Sequence, residues 1–164
     1  MKALLGRNPD KTLPMPQSRS KVYTHIIFST KHRKNLIDDQ IENDLYNYAG
    51  GTCKELECNP VQAGGHKNHM HLLCLLSRKV AQMTLVQHVK QGPSKWIKTM
   101  SDPFTDFYWQ DGYGIFSVSP KRVDIVIEYI KNQRKHHQKM SFMDEYRTFL
   151  KNYDLDFDER YVWD

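Results

Sequence analysis

Residues 66–76 read HKNHMHLLCLL, and the run that begins at His69 decides how the chain folds. Side chains on a strand alternate faces, so His69, His71, Leu73 and Leu75 share one face while Met70, Leu72, Cys74 and Leu76 share the other. Apolar residues on both faces mark a strand covered on both sides, at the centre of a sheet. The two imidazoles then stand side by side at its beginning, where their nitrogens could meet on one ion. Paired histidines at this spacing are also common as ordinary hydrogen-bonded side chains, and the spacing alone leaves both readings open. His66 lies an odd number of residues before His69, which argues against hydrolase patterns built on three alternating histidines.

On the N-terminal side, KVYTHIIFSTK (21–31) has the β-branched and aromatic composition of a strand. Asp38 is placed to cap a helix whose apolar residues Ile41, Leu45, Tyr48 and Ala49 recur at helical spacing, with Gly50 and Gly51 marking a kink or an early end. CNPVQAGG (58–65) reads as a second strand broken at Gly64 and Gly65. Beyond the histidine strand, AQMTLVQHVKQ (81–91) carries Leu85, Val86 and Val89 on one face. Gly92 and Pro93 interrupt it, and a new helix starts at Pro93. FYWQDGYGIFSVS (107–119) ends in a fourth strand, and Ser119 caps a helix over 120–139. A short helix follows from Ser141. This order predicts an α+β fold: a ferredoxin-like βαββαβ unit with a four-stranded antiparallel sheet, helices on one face, and an extra C-terminal helix.

At 164 residues and 39% hydrophobic composition, the chain suits one core. Residues 1–20, rich in Pro, Ser and basic side chains, read as a flexible N-terminal arm, and 21–164 as a single domain. Within the arm, Met15 offers a second possible start. The 24 basic residues against 19 acidic ones give a net charge of +5, which permits a polyanionic partner without demanding one. Cys53, Cys58 and Cys74 fit neither a disulfide framework nor a zinc pattern, so reduced structural thiols are expected. No run resembles a membrane span or a signal peptide, and the expected location is the cytoplasm, with no membrane partner.

In the helix expected over 120–139, Val123, Val126, Ile127 and Ile130 form one stripe that must face the core. Tyr129, Gln133 and His136 fall together on a flank beside that stripe, and Tyr129 and Gln133 are one turn apart. A phenol there could act as a nucleophile and an amide oxygen as a metal ligand. The plainer reading is a half-buried tyrosine beside a solvated glutamine.

HMHLL (69–73), VKQGPSKWIK (89–98), WQDGYGIFSVS (109–119) and VIEYIKNQRKHH (126–137), taken in order, resemble the single-tyrosine HUH transposases of the smallest bacterial insertion sequences and the related REP-associated tyrosine transposases. The resemblance runs from about Lys21 to the C-terminal DERYVWD. It implies that His69, Met70 and His71 form the HUH motif, that Tyr129 is the catalytic nucleophile, and that Gln133 joins the two histidines as a metal ligand. It further implies cleavage and rejoining of single-stranded DNA through a 5′-phosphotyrosine, with a divalent metal, Mg2+ or Mn2+. A hairpin or palindromic DNA element and a homodimer follow as partners, and active sites in the family commonly join the histidines of one subunit to the tyrosine helix of the other. Lys67 and Asn68 depart from the Pro-Asp pair common at that place.

For DNA binding, Lys31, Arg33, Lys95 and Arg122 are candidates to neutralise phosphates, as is Lys90. Trp96 and Trp109 are candidates to stack on unpaired bases. Two other classes compete: a non-catalytic single-stranded nucleic-acid-binding module, and a metal-dependent nuclease that uses water. The paired aromatic motifs of the RNA-binding ferredoxin-like module are absent from the central strands.

Overall fold

The β-branched run after the arm forms β1 (Tyr23–Ser29), and the computed structural model, which describes residues 19–100 and 102–163, places it at the middle of the sheet. The arm expected over 1–20 lies, through residue 18, outside the described residues. After β1 come α1 (Glu42–Glu55), β2 (Asn59–His66), β3 (His69–Leu75), α2 (Gln82–Ile97) and β4 (Gly114–Val118). Three helices finish the chain: α3 (Val123–Lys131), α4 (Gln133–His136) and α5 (Phe142–Asn152). The sheet order is β2-β3-β1-β4 and every neighbouring pair is antiparallel. This is the four-stranded α+β architecture expected from the element order.

Both faces of the sheet are covered, which corrects the expectation of helices on one face. Ile26, Phe28, Met70, Leu72 and Cys74 meet Leu45, Ala49 and Cys53 of α1 and Leu85, Val86 and Val89 of α2. On the opposite face, Ile27 and Phe116 pack against Phe142, Tyr146 and Leu150 of α5, while α3 crosses β2 and β3. The reason lies in α5, whose apolar stripe has to be buried and finds the second face open. The histidine face is therefore the one under α3, α4 and α5.

Several local expectations change for related reasons. Helix α1 continues through Gly50 and Gly51, with Leu45, Ala49, Thr52 and Cys53 buried along it. Asp38 caps the turn ahead of that helix, its Oδ1 accepting from the backbone N–H of Gln40 and Ile41. Helix α2 runs unbroken through Gly92 and Pro93. Proline costs it one backbone donor, but Pro93 is buried with Leu85, Val86 and Val89, and that packing holds the turns in line. Strand β2 passes through both glycines to His66, opposite His69.

The long final helix is split. A 3-10 turn at Pro120–Arg122 precedes α3, and Asn132 (φ −95°, ψ 17°) separates α3 from α4. The Asn132 side chain donates to the Glu128 carbonyl at 2.7 Å, the kind of local bond by which asparagine competes with the helical ladder. Of the expected core stripe only Ile130 is fully buried, while Val123, Val126 and Ile127 are half-buried. The three cysteines are free and buried. No helix among the described residues is long and apolar enough to cross a membrane.

Gly64 sets how closely α3 approaches the sheet. A Cβ there would meet Ile130 Cγ2 and the Ile130 carbonyl oxygen, each at 2.8 Å. Gly64→Ala is expected to lower stability by about 1–3 kcal/mol in chemical denaturation, since overpacking against backbone cannot relax. Gly51→Ala, where a Cβ meets nothing within 4 Å, is expected to raise stability by about 0.5–1 kcal/mol.

Candidate active site

Register assembles the site from β1 and β3. Ile27 lies opposite His71, Ser29 opposite His69 and His25 opposite Leu73, so His25, His69 and His71 project from the same face. All three are buried. His25 Nε2 lies 2.9 Å from His71 Nδ1, and His69 Nδ1 lies 2.9 Å from Asn68 Oδ1. Each member of the HUH pair thus has its Nδ1 engaged and its Nε2 turned toward the covering helices. When His71 donates from Nδ1 to His25, the lone pair on its Nε2 is left for an ion, the arrangement that metal-binding histidines adopt. Burial, and then the neighbouring His71, hold His69 well below the usual histidine range, so its imidazole is neutral as ligation requires.

Helices α3 and α4 bring Tyr129 and Gln133 to this face, the flank predicted for them. Gln133 is 1% exposed, and its Oε1 lies 2.9 Å from His69 Nε2. The Tyr129 ring is half-buried, with its centroid 5.8 Å from that of His71. One chain therefore sets its own tyrosine beside its own histidines, in contrast to the shared sites that the resemblance implies.

Three participants went unread in the sequence: His25, His137 and Glu145. Glu145 of α5 is 2% exposed at the centre of the cluster. Its Oε1 accepts hydrogen bonds from the Tyr129 hydroxyl and, at 3.1 Å, from Gln133 Nε2. Its Oε2 lies 3.2 Å from His137 Nε2 and 3.4 Å from His71 Nε2. Burial alone would raise the carboxyl, but the surrounding imidazoles, His71 foremost, hold it well below the usual carboxylate range. Burial and then the Glu145 charge push the Tyr129 phenol well above its ordinary value. Burial works against a charge on His137, and the nearby Glu145 carboxylate outweighs it, leaving that histidine above its ordinary value. The signal for Glu145 was present: it interrupts the apolar face of α5 between Phe142 and Tyr146. His25, likewise, alternates with Ile27 on a strand whose residues are nearly all buried.

Several donor atoms converge here with too few protons to pair them. His71 Nε2 and Glu145 Oε2 are buried without a hydrogen-bond partner, as is His136 Nε2. His69, His71 and Glu145 each offer a ligand atom within 4.8 Å of the others. Orphaned nitrogen and oxygen lone pairs facing one point are what a divalent cation would satisfy, so the residues fit one.

Tyr129 borders two clefts. One of about 530 Å³ includes His25, Ser119, Arg122 and Phe149. The other, about 650 Å³, includes Asn132, Lys135, His136 and Lys139. Of the DNA-binding candidates, Arg122 stands beside the tyrosine. Lys31 and Arg33 follow β1 at the end of the sheet where Ser29 faces His69, and Arg33 donates to the Trp163 carbonyl at 3.2 Å. Lys95 and Trp96 sit on α2, across the sheet from Tyr129, with Trp96 stacked on Tyr48. Trp109 is a core residue, 7% exposed and edge-on to Phe28 and Phe107, which removes it as a stacking platform. Lys90 is occupied by the carbonyls of Gln110, Asp111 and Gly112.

Comparison with solved structures finds a candidate transposase from Deinococcus radiodurans R1 (20% identity, TM-score 0.58, covering 73% of this chain and 98% of that one). It also finds a REP-associated tyrosine transposase bound to a REP hairpin (13% identity, TM-score 0.52, covering 75% of this chain and 74% of that one). At these identities the likeness concerns the fold. No curated protein sequence matches the chain. The profile of the IS200-like transposases matches residues 18–133, a span that takes in β1, β3, Tyr129 and Gln133, and the chain belongs to that family.

Proposed function

We propose that this transposase is of the single-tyrosine HUH kind and cuts and rejoins single-stranded DNA through a 5′-phosphotyrosine. The observation that carries the reading is the convergence of Tyr129, Gln133, His69 and His71 on one buried point, with Tyr129 also bordering two clefts. A divalent cation held by His69, His71 and Gln133, Mg2+ or Mn2+, would polarise the scissile phosphate as a Lewis acid. The Tyr129 oxygen attacks phosphorus, the bond to the 3′ oxygen breaks, and that oxygen leaves as a 3′-hydroxyl. The phosphodiester energy is kept in the phosphotyrosine, so a second 3′-hydroxyl can reverse the step without ATP. Glu145 Oε1 accepts the hydrogen bond from the Tyr129 hydroxyl and so orients it, and the proton released on attack is taken up by the departing 3′ oxygen.

The two clefts give a strand a path across the tyrosine, with Arg122 on one side and Lys135 and Lys139 on the other to neutralise phosphates. Lys31 and Arg33 extend the basic surface at the His69 end of the sheet. Lys95 and Trp96 serve only DNA that reaches the α2 side. The hairpin carried by the structural neighbour, together with the family resemblance, supports a substrate with a hairpin or palindromic element. The homodimer belongs to the same reading, with a complete site in each chain.

Tyr129→Phe removes one oxygen from a half-buried side chain. Binding to a hairpin-bearing single strand should persist, while cleavage with Mn2+ should fall by on the order of a thousandfold or more and the adduct resistant to denaturation should vanish. Cutting without attachment in the native protein would assign a nuclease that uses water. Binding without cutting would assign a non-catalytic module. His25→Phe should strip His71 Nδ1 of its partner. Manganese affinity should then drop by about tenfold to a hundredfold in calorimetric titration, and stability by about 1–3 kcal/mol. Unaltered affinity would mean that His71 is oriented by something else.

A further inference from the structure

We propose that Glu145 is a ligand of the same cation, so that the metal is clamped between the sheet and the C-terminal helix. The inference rests on the metal site proposed above and adds α5 to it.

The geometry around Glu145 Oε2 carries the argument. This oxygen is buried and without a hydrogen-bond partner. It lies 3.2 Å from His137 Nε2, 3.4 Å from His71 Nε2 and 3.8 Å from His69 Nε2, and the His71 nitrogen is itself unpartnered. The separations from the HUH pair are long or poorly directed for hydrogen bonds. The 3.4 Å to His71 Nε2 matches the spacing of donor atoms around an ion, since bonds of about 2.1 Å place tetrahedral ligands about 3.4 Å apart and octahedral ligands about 3.0 Å apart. The 3.8 Å to His69 Nε2 closes to it with a small rotation of the carboxylate. The other carboxylate oxygen is taken by Tyr129 and Gln133, with His136 Nε2 3.3 Å away, so Oε2 is the oxygen turned toward the HUH imidazoles.

The chemistry of the set agrees with the spacing. Two neutral imidazoles and one carboxylate bind first-row divalent ions with positions left open for substrate. One anionic ligand leaves a divalent ion still positively charged toward a phosphate. A carboxylate this deeply buried requires positive charge; His137, 3.2 Å away, supplies it on one side of Oε2, and the unpartnered His71 Nε2 leaves the other side open to an ion. Beyond Glu145, α5 is joined to this face of the sheet by an apolar contact through Phe142, Tyr146 and Leu150. Ligation would therefore make the seating of α5 depend on the ion.

The test uses the full chain without DNA. Manganese binding is followed by electron paramagnetic resonance for the native protein, Glu145→Gln, Glu145→Asp and His69→Ala. Glu145→Gln is expected to weaken binding by about tenfold or more, with Glu145→Asp between it and the native protein and His69→Ala losing the ion. Native affinity in Glu145→Gln together with loss in His69→Ala would overturn the role of Glu145 and leave the histidine site standing. Native affinity in both would overturn the metal site itself. Because Glu145→Gln could unseat α5 by misfolding, hydrogen exchange of the native protein supplies an independent reading. Added Mn2+ should slow exchange of the amides in 142–152, and exchange there that ignores the ion would overturn the proposal.

Discussion

The antiparallel pairing of β1 with β3, Ile27 opposite His71 and Ser29 opposite His69, sets which face of the sheet carries the imidazoles. A slip of one residue would invert every side chain of a strand and turn the histidines under α1 and α2. The apolar sets prevent it. Ile26, Phe28, Met70, Leu72 and Cys74 need the face under α1 and α2, and satisfying them leaves His25, His69 and His71 on the other. The site is in this sense the remainder of the core: the packing that stabilises one face exposes a polar row on its reverse, for other elements to use.

That polar row has a cost. Three histidines, Gln133 and Glu145 are buried together, and each must find partners or be left desolvated. Their partners are mostly one another: His25 with His71, His69 with Gln133, Gln133 with Glu145. The atoms that remain unpaired face a common point, where an ion would satisfy them. The apolar stripe of α5 supplies the cover. Without it Glu145 would be solvated and Tyr129 would lose the acceptor of its hydroxyl.

The placement of Tyr129 depends on backbone details of little chemical interest in themselves. Gly64 lets α3 rest against β2 with Ile130 in contact, and Asn132 ends α3 just before Gln133 turns into the site. Tyr129, at the open side of the same helix, faces two clefts lined with Arg122, Lys135 and Lys139. Basic side chains thus line the clefts beside the Tyr129 hydroxyl, and the field they create favours approach of a polyanion.

Alternation along HMHLLCLL was enough to put His69 and His71 on one face of a central strand, because strand periodicity is a local property of the backbone. Helical phase was likewise enough to place Tyr129 and Gln133 together, and the order of elements was enough for the antiparallel sheet. What tertiary structure alone decided is where the C-terminal helix goes. An amphipathic helix states that it has a buried face without stating against what, and α5 chose the histidine face. That choice covered both sides of the sheet, brought Glu145 and His137 into the cluster, and made an apolar-face glutamate the neighbour of Tyr129. The same limit explains α2. Gly92 and Pro93 announce a break when only local propensity is weighed, and packing against α1 overrides it. Local patterns fix faces. Contacts between residues far apart in the chain fix which faces meet, and the site exists only where they do.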